Sequence, residues 1–159
     1  MIIRRTLAVL ATAAALVLVG AGAASAGGNP HFIASGTSAS ASGTTLTVKF
    51  KEAGLSAGTV VVIEATAHLD AEYSCVNNGK KIPSDPKKTT VSSDLSSSGE
   101  FTVPKNGNLT GSLELNAPAP STALSCPPGQ TATLISVVWT NVKVMDNDSG
   151  AFLNIPGTF

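Results

Sequence analysis

The residues of this chain whose types and spacing most suggest chemistry are His68, Asp70 and Glu72. If this stretch is a β-strand, the three side chains share one face, because successive side chains of a strand alternate between its two faces. Imidazole and carboxylate groups so arranged can bind Zn²⁺ or Ca²⁺, and a catalytic pair needs the same proximity. The solvated outer face of a strand shows the same pattern, and we favour this interpretation. We therefore predict no catalytic residue, metal ligand or cofactor, and keep these three residues as polar-face candidates.

A second motif, Gly54-Leu55-Ser56-Ala57-Gly58, has the G-x-S-x-G pattern of the nucleophile elbow in α/β-hydrolases. That motif lies between a strand and a helix and requires an acid and then a histidine further along the chain. Here the residues that follow are typical of a strand, and the only downstream histidine is His68, twelve residues away. The two glycines instead predict a turn. We expect a protein that is not an enzyme.

The segment Asp146-Asn147-Asp148-Ser149-Gly150 begins like a calcium-binding loop. An EF-hand loop would continue with a glycine at position six and a glutamate at position twelve, where this chain has Ala151 and Gly157. The flanking helices are also missing from the pattern. A tight polar turn is the favoured interpretation, with Ca²⁺ binding at this acidic corner as the alternative.

Four lysines, at positions 80, 81, 87 and 88, lie close together in a loop. Such a loop could bind an anionic wall polymer or a membrane surface, although lysines on an exposed loop more often provide solubility. No arginine and no interleaved aromatic side chain accompanies them, so we predict no nucleic-acid partner.

Residues 1–26 have the pattern of a secretory signal peptide. Arg4 and Arg5 precede an apolar run, and Ala24-Ser25-Ala26 supplies the small residues of a cleavage site. A retained membrane anchor is the alternative, but the run is short and alanine-rich for a spanning helix. We therefore predict a secreted protein, extracellular and free of the membrane after cleavage.

The predicted mature chain, residues 27–159, has eight lysines, ten aspartates and glutamates and no arginine, so its formal net charge is −2. Without arginine it lacks the side chain that usually recognises phosphate or carboxylate in a bidentate manner. Its length is that of one domain with a core of its own. Its two cysteines, Cys75 and Cys126, are predicted to form one structural disulfide, because lone cysteine pairs of exported proteins are usually oxidised.

Alternating apolar and polar residues predict an all-β fold. Residues 44–51 place Leu46, Val48 and Phe50 on one face. Residues 59–75 alternate for so long that we expect a bulge or bend within them. Residues 31–42 are either a first strand or a flexible arm, and Ser97-Ser98-Gly99 is expected to be a turn. The remaining predicted strands are 89–96, 100–103, 108–115, 131–145 and 151–155.

Seven or eight short strands separated by glycine and proline turns predict an immunoglobulin-like antiparallel β-sandwich, with residues 27–159 as a single domain. The immunoglobulin pattern is met only in part. Trp139 follows Cys126, whereas the tryptophan of an immunoglobulin domain lies between the two cysteines.

Five segments of the chain resemble a family of small secreted proteins from actinobacteria. They are residues 29–33, 50–55, 75–80, 125–130 and 155–159. The resemblance spans nearly the whole mature chain and implies export and a disulfide-bonded β fold, with nothing catalytic. More distantly, residues 53–59 are similar to the neocarzinostatin-type apoproteins, which are immunoglobulin-like carriers of a small molecule. This likeness covers one hairpin, and the chain has one cysteine pair where that family has two.

Two functional hypotheses follow. The first is a secreted, non-enzymatic β-sandwich that acts by surface binding, for example to a cell-wall polymer, or as an extracellular structural protein. The second is a carrier that holds a small apolar molecule in a cleft between its sheets. An apolar cleft of about 300 Å³ or more would favour the carrier, and a filled interior would favour surface binding.

Overall fold

A computed structural model describes residues 28–159 of the chain. The predicted signal peptide, residues 1–26, lies outside the described residues. The strands are β1 (His31–Phe32), β2 (Ser38–Ser42), β3 (Thr45–Ala53), β4 (Val60–Asn77), β5 (Lys88–Thr102), β6 (Leu109–Asn116), β7 (Gln130–Asp146) and β8 (Phe152–Ile155). A 3₁₀ turn (Ala34–Gly36) and a one-turn helix, α1 (Pro120–Ala123), complete the list. Neither helix in this part of the chain is long and apolar enough to cross a membrane.

The strands form two four-stranded antiparallel sheets, which confirms the all-β prediction. In the first, sheet A, β3 is central and pairs with β6 on one side and with β1 and β2 on the other. In the second, sheet B, the order is β5-β4-β7-β8. Strand β4 is therefore hydrogen-bonded along both edges.

Residues 31–42 form a strand that is broken by the 3₁₀ turn, and both of its pieces pair with β3. The break coincides with a close approach of two backbones. The Ile33 amide donates to the Lys51 carbonyl at 2.7 Å, and a Cβ added at Gly36 would lie 2.8 Å from the Lys51 Cβ. The strand alternative is thus correct, with an interruption that its serine and alanine composition did not reveal.

One core is shared by the two sheets. Leu46, Val48 and Phe50 are buried as predicted, and so is every second residue of β4 from Val61 to Cys75. The Phe50 ring packs edge-to-face on the Phe101 ring, with centroids 5.1 Å apart. Large side chains such as Trp139 and Tyr73, both at 0% exposure, fill the interior.

Sheet B is longer than sheet A, because β4, β5 and β7 have 15 to 18 residues whereas β3 and β6 have nine and eight. The inner face of sheet B therefore extends past the end of sheet A. Residues 117–129, which include α1, cover this part of the face. Their Leu124 is buried in the core, and the Tyr73 hydroxyl donates to the Pro118 carbonyl at 2.8 Å. The predicted disulfide joins Cys75 of β4 to Cys126 of this covering loop.

The turn predicted at residues 97–99 is absent, since β5 runs through it without interruption. Gly99 pairs with Ile63 and lies under apolar side chains. A Cβ at this position would come within 3.1 Å of the Phe101 ring and 3.3 Å of Leu113. The glycine therefore makes room for packing where the sequence suggested a turn.

The bulge expected within β4 is instead found on its partner. The register between β4 and β7 shifts twice, and in both cases β7 carries the additional residue. One shift is at Asn141, whose φ of 52° lies in the left-handed region that asparagine tolerates better than most residues. Against β5, β4 keeps one register throughout. The long strand is thus regular, and β7 bends to follow it.

Candidate functional site

His68 is the centre of a polar network on the solvent side of sheet B. Its Nδ1 is 2.6 Å from the Oδ1 of Asp94, and its Nε2 is 3.2 Å from the Ser92 hydroxyl. Asp70 is more distant, with its Oδ2 3.7 Å from Nε2. Asp94 faces His68 directly across the β4–β5 pair. A depression of about 260 Å³ opens beside His68 and Asp94 and extends to Asn141.

The pKa of His68 is raised above its usual value of 6.5, chiefly by the hydrogen bond to Asp94. Desolvation opposes this shift, and the negative charges of Asp70 and Asp94 add to it. A protonated imidazole can donate from both nitrogens at once, which suits the acceptors on its two sides. The network therefore favours the imidazolium form.

Ser92, His68 and Asp94 have the connectivity of a nucleophile, a base and an acid, which the sequence analysis did not anticipate. The chemistry of a catalytic triad requires a neutral imidazole that accepts the serine proton. Here the raised pKa of His68 favours the form that donates to Ser92. The side chain of Asp94 is also 87% exposed, whereas the acid of a triad is buried. The geometry is that of cross-strand polar pairs on a sheet surface.

Glu72 shares the face of His68 and Asp70, as predicted, but it belongs to a different contact. Its Oε1 is 3.1 Å from the Nζ of Lys88. Within residues 28–159, no three histidine, cysteine, aspartate or glutamate side chains converge in a way that could hold a metal ion. His68, Asp70 and Glu72 are thus on one face without forming one site.

The outward side chains of β5, β4 and β7 align in rows across sheet B. We call this surface the outer face, and its rows are Ser98–Glu64–Met145, Ser96–Thr66–Lys143, Asp94–His68–Thr140, Ser92–Asp70–Val138 and Thr90–Glu72–Ser136. Neighbouring strands of a sheet are about 4.8 Å apart, and residues on one face of a strand repeat about every 6.8 Å. Hydroxyl groups and carboxylates occupy most of these positions on β5 and β4, whereas β7 contributes Thr140 and Ser136 together with Met145, Lys143 and the exposed Val138.

The edge strand β5 contributes most of the exposed hydroxyl groups, of which that of Ser92 contacts His68. Thr90, Ser92, Ser96 and Ser98 are all exposed, and β5 has no buried residue. The aromatic side chains that would serve as a sugar-stacking platform are mostly in the core, and Phe152 is the large aromatic residue exposed on sheet B. Recognition at the outer face would thus depend on polar groups.

A second polar cluster is buried between the sheets. Glu52 lies at the end of β3 with 0% exposure, and neither of its carboxylate oxygens has a hydrogen-bond partner in the described structure. Burial raises the pKa of Glu52 to about 8, and the carboxyl of Asp146, its neighbour from β7, adds to the shift. Glu52 directly follows the predicted strand of residues 44–51, and its position continues the buried series of Leu46, Val48 and Phe50.

Asp146 begins the predicted polar turn and is also completely buried. Its Oδ1 accepts from the Asp148 amide at 2.9 Å, and its Oδ2 accepts from the Ser149 hydroxyl at 2.6 Å. Asp148 in turn accepts from the Val62 amide at 2.7 Å. The turn is therefore fastened to β4, and a depression of about 410 Å³ adjoins Asp146, Asp148 and Ser149.

Ser56 of the G-x-S-x-G segment lies in the turn between β3 and β4. The Thr59 hydroxyl donates to its carbonyl at 2.7 Å. Gly54 and Gly58 have φ values of 82° and 78°, which are turn conformations that favour glycine. A strand, β4, follows, so the structural context of a nucleophile elbow is missing at this position.

The lysines at positions 80, 81, 87 and 88, the last of which begins β5, do not form one free cationic patch. The Nζ of Lys87 donates to the Ser125 carbonyl at 2.9 Å, and Lys88 pairs with Glu72. Lys80 and Lys81 are exposed next to Ile82, which is 55% exposed.

The structure is that of an all-β, disulfide-bonded protein with an array of polar side chains on the outer face of its longer sheet. No protein-family model matches the chain, and no curated protein is significantly similar to it.

Proposed function

We propose that this chain is a secreted, non-enzymatic protein with an immunoglobulin-like fold that binds an extracellular polymer through the outer face of sheet B. The partner that suits this face best is a polyhydroxylated cell-wall polymer. Its hydroxyl groups can both donate to the carboxylates and exchange hydrogen bonds with the serine and threonine side chains.

The strand order supports the immunoglobulin-like part of the proposal. When β2 to β8 are assigned in chain order to the strands A, B, C, C′, E, F and G, sheet A becomes A-B-E and sheet B becomes C′-C-F-G. Sheets that combine G, F, C and C′ occur in the immunoglobulin variable domain, and related sandwiches share this architecture. The signal-peptide pattern of residues 1–26 and the Cys75–Cys126 disulfide support export.

The single observation that carries the binding proposal is the aligned array of hydroxyl groups and carboxylates on β5, β4 and β7. Aligned rows of polar side chains complement an extended chain better than they complement a compact ligand, because successive polymer units can meet successive rows. The depression beside His68 and Asp94 offers a place for one projecting group.

The filled interior favours surface binding over the carrier hypothesis. Trp139, Tyr73 and Phe50 occupy the space between the sheets in which an apolar ligand would lie. The larger depressions, of about 390 to 500 Å³, have mixed polar and apolar linings and are open to solvent.

Co-sedimentation of the oxidised mature chain with purified insoluble peptidoglycan tests the proposal. The variant Ser92→Ala/Ser96→Ala/Ser98→Ala removes three hydroxyl groups from the outer face. The matched control, Ser38→Ala/Ser40→Ala/Ser112→Ala, removes three exposed hydroxyl groups from the solvent side of sheet A.

We expect the first variant to bind at least about tenfold more weakly than the wild type and the control to bind normally, since each hydrogen bond contributes about 0.5–1.5 kcal/mol. Equal binding by the two variants, or no binding by the wild type, would overturn the proposed surface. Release of soluble fragments from the polymer would overturn its non-enzymatic part.

A further inference from the structure

Glu52 and Asp146 bring two carboxyl groups together in the core, and neither belongs to the proposed binding face. Glu52 comes from sheet A and Asp146 from sheet B, and both have 0% exposure. Two carboxylates cannot remain ionised side by side in such a place unless a positive species lies between them. Within residues 28–159, neither carboxyl forms an ion pair with a lysine or a histidine.

The hydrogen bonds of the two groups are unequal. Asp146 accepts from Asp148 and Ser149, whereas both oxygens of Glu52 lack a partner. A buried polar atom without a partner is costly, and a bound ion or water is one of the arrangements that satisfies it in native proteins. The carboxyl of Asp146 lies within hydrogen-bonding reach of Glu52, but neither group can donate to the other while both are ionised.

We propose that Glu52 and Asp146 form an oxygen-only binding site for a hard divalent cation of the Ca²⁺ class. Carboxylate, hydroxyl, carbonyl and water oxygens are the ligands that Ca²⁺ prefers, and it accepts six to eight of them in flexible arrangements. No histidine or cysteine is needed, so the site would not suit Zn²⁺.

The remaining ligands would be neutral oxygens and water, because no third acidic side chain within the described residues converges with these two. A depression of about 410 Å³ adjoins Asp146 and Ser149, so water and the ion would approach Glu52 from the side of Asp146. A site with only two carboxylates is weak, and we expect a dissociation constant of about 10⁻⁴–10⁻³ M, the range of extracellular modules.

The cation would join the two sheets at one end of the fold. Glu52 lies where β1 and β6 both pair with β3, and Asp146 ends β7. Bound Ca²⁺ would thus hold the 146–150 turn against sheet A and stabilise the folded chain without touching the outer face.

Thermal unfolding and isothermal titration of the oxidised mature chain at pH 7.5 test this site with Ca²⁺ as the probe. In 5 mM CaCl₂ we expect the Tm of the wild type to be about 3–6 °C above its value in EDTA. Glu52→Gln should lose this rise, whereas Glu114→Gln, which removes the same charge from an exposed position on β6, should keep it.

Several results would overturn the proposal. These are no rise of the wild-type Tm and no Ca²⁺ binding by titration, an equal rise in Glu52→Gln, or an equal rise with MgCl₂. If Glu52→Gln does not fold, Asp146→Asn replaces it in the same comparison. A Tm that responds to pH but not to Ca²⁺ would mean that a shared proton occupies the space between the two carboxyl groups.

Discussion

The imidazole of His68 and the carboxyl of Asp94 face each other across β4 and β5, with Nδ1 and Oδ1 2.6 Å apart. This contact raises the pKa of His68 more than any other interaction does. We predict that Asp94→Asn lowers the pKa of His68, as measured by NMR titration of its ring protons. Asp85→Asn, an exposed carboxylate of the 78–88 loop, is the control and should leave it unchanged.

The contact between His68 and Asp94 also determines whether the free energy of unfolding rises or falls with pH. The pKa of His68 is higher in the folded protein than in the unfolded chain. The stabilisation that protonated His68 provides is therefore fully present below about pH 6.5 and is lost as the pH rises through the folded-state pKa. The free energies of unfolding of the wild type and Asp94→Asn, measured by denaturant titration, should therefore converge above the folded-state pKa of His68. An identical His68 pKa in both proteins would contradict the assignment.

The sequence predicted the structure correctly where a pattern of residues has a single structural outcome. Strict alternation predicted the buried series of β3 and β4, and the lone cysteine pair predicted the disulfide. Alternation could not reveal that Glu52 continues the buried series, because a charged residue two positions before a glycine is also typical of a turn. The environment of Glu52 is determined by residues that are distant in the sequence, such as Asp146.

The polar network at His68 shows the same limit. Local spacing predicted that Asp70 and Glu72 would share its face, which is correct. The partners that contact it most closely, Asp94 and Ser92, come from the next strand, and only the β4–β5 register brings them there. A shift of one residue in that register would place both side chains on the opposite face.

The Cys75–Cys126 bond joins positions separated by 51 residues in the sequence. Closing a loop of this length stabilises the folded state by about 4 kcal/mol on the chain-entropy account. We predict that Cys75→Ala/Cys126→Ala lowers the free energy of unfolding by about that amount, as measured in urea. The reduced wild type should show a similar loss, and a loss below about 1 kcal/mol would mean that the covering loop is held mainly by its other contacts.

Gly111 packs where two aromatic rings meet. A Cβ at this position would lie 2.6 Å from the Cζ of Phe50 and 2.8 Å from the Cε1 of Phe101. We predict that Gly111→Ala destabilises the protein by about 1–3 kcal/mol, because the rings must leave their edge-to-face arrangement. Gly79→Ala is the matched control, since nothing lies within 4 Å of its added Cβ. Equal unfolding midpoints for the two variants would contradict this account of the core.

The Tyr73 hydroxyl links β4 to the covering loop through its bond to the Pro118 carbonyl. Burial raises the pKa of Tyr73 above its usual value of 10, so the phenol remains a donor across the ordinary range of pH. We predict that Tyr73→Phe costs about 1 kcal/mol of unfolding free energy and speeds amide exchange in residues 117–129, because the Pro118 carbonyl loses its donor. Thr131→Val, which removes an exposed hydroxyl near the start of β7, should change neither quantity. Unchanged exchange in Tyr73→Phe would assign the anchoring of this loop to the disulfide and to Leu124.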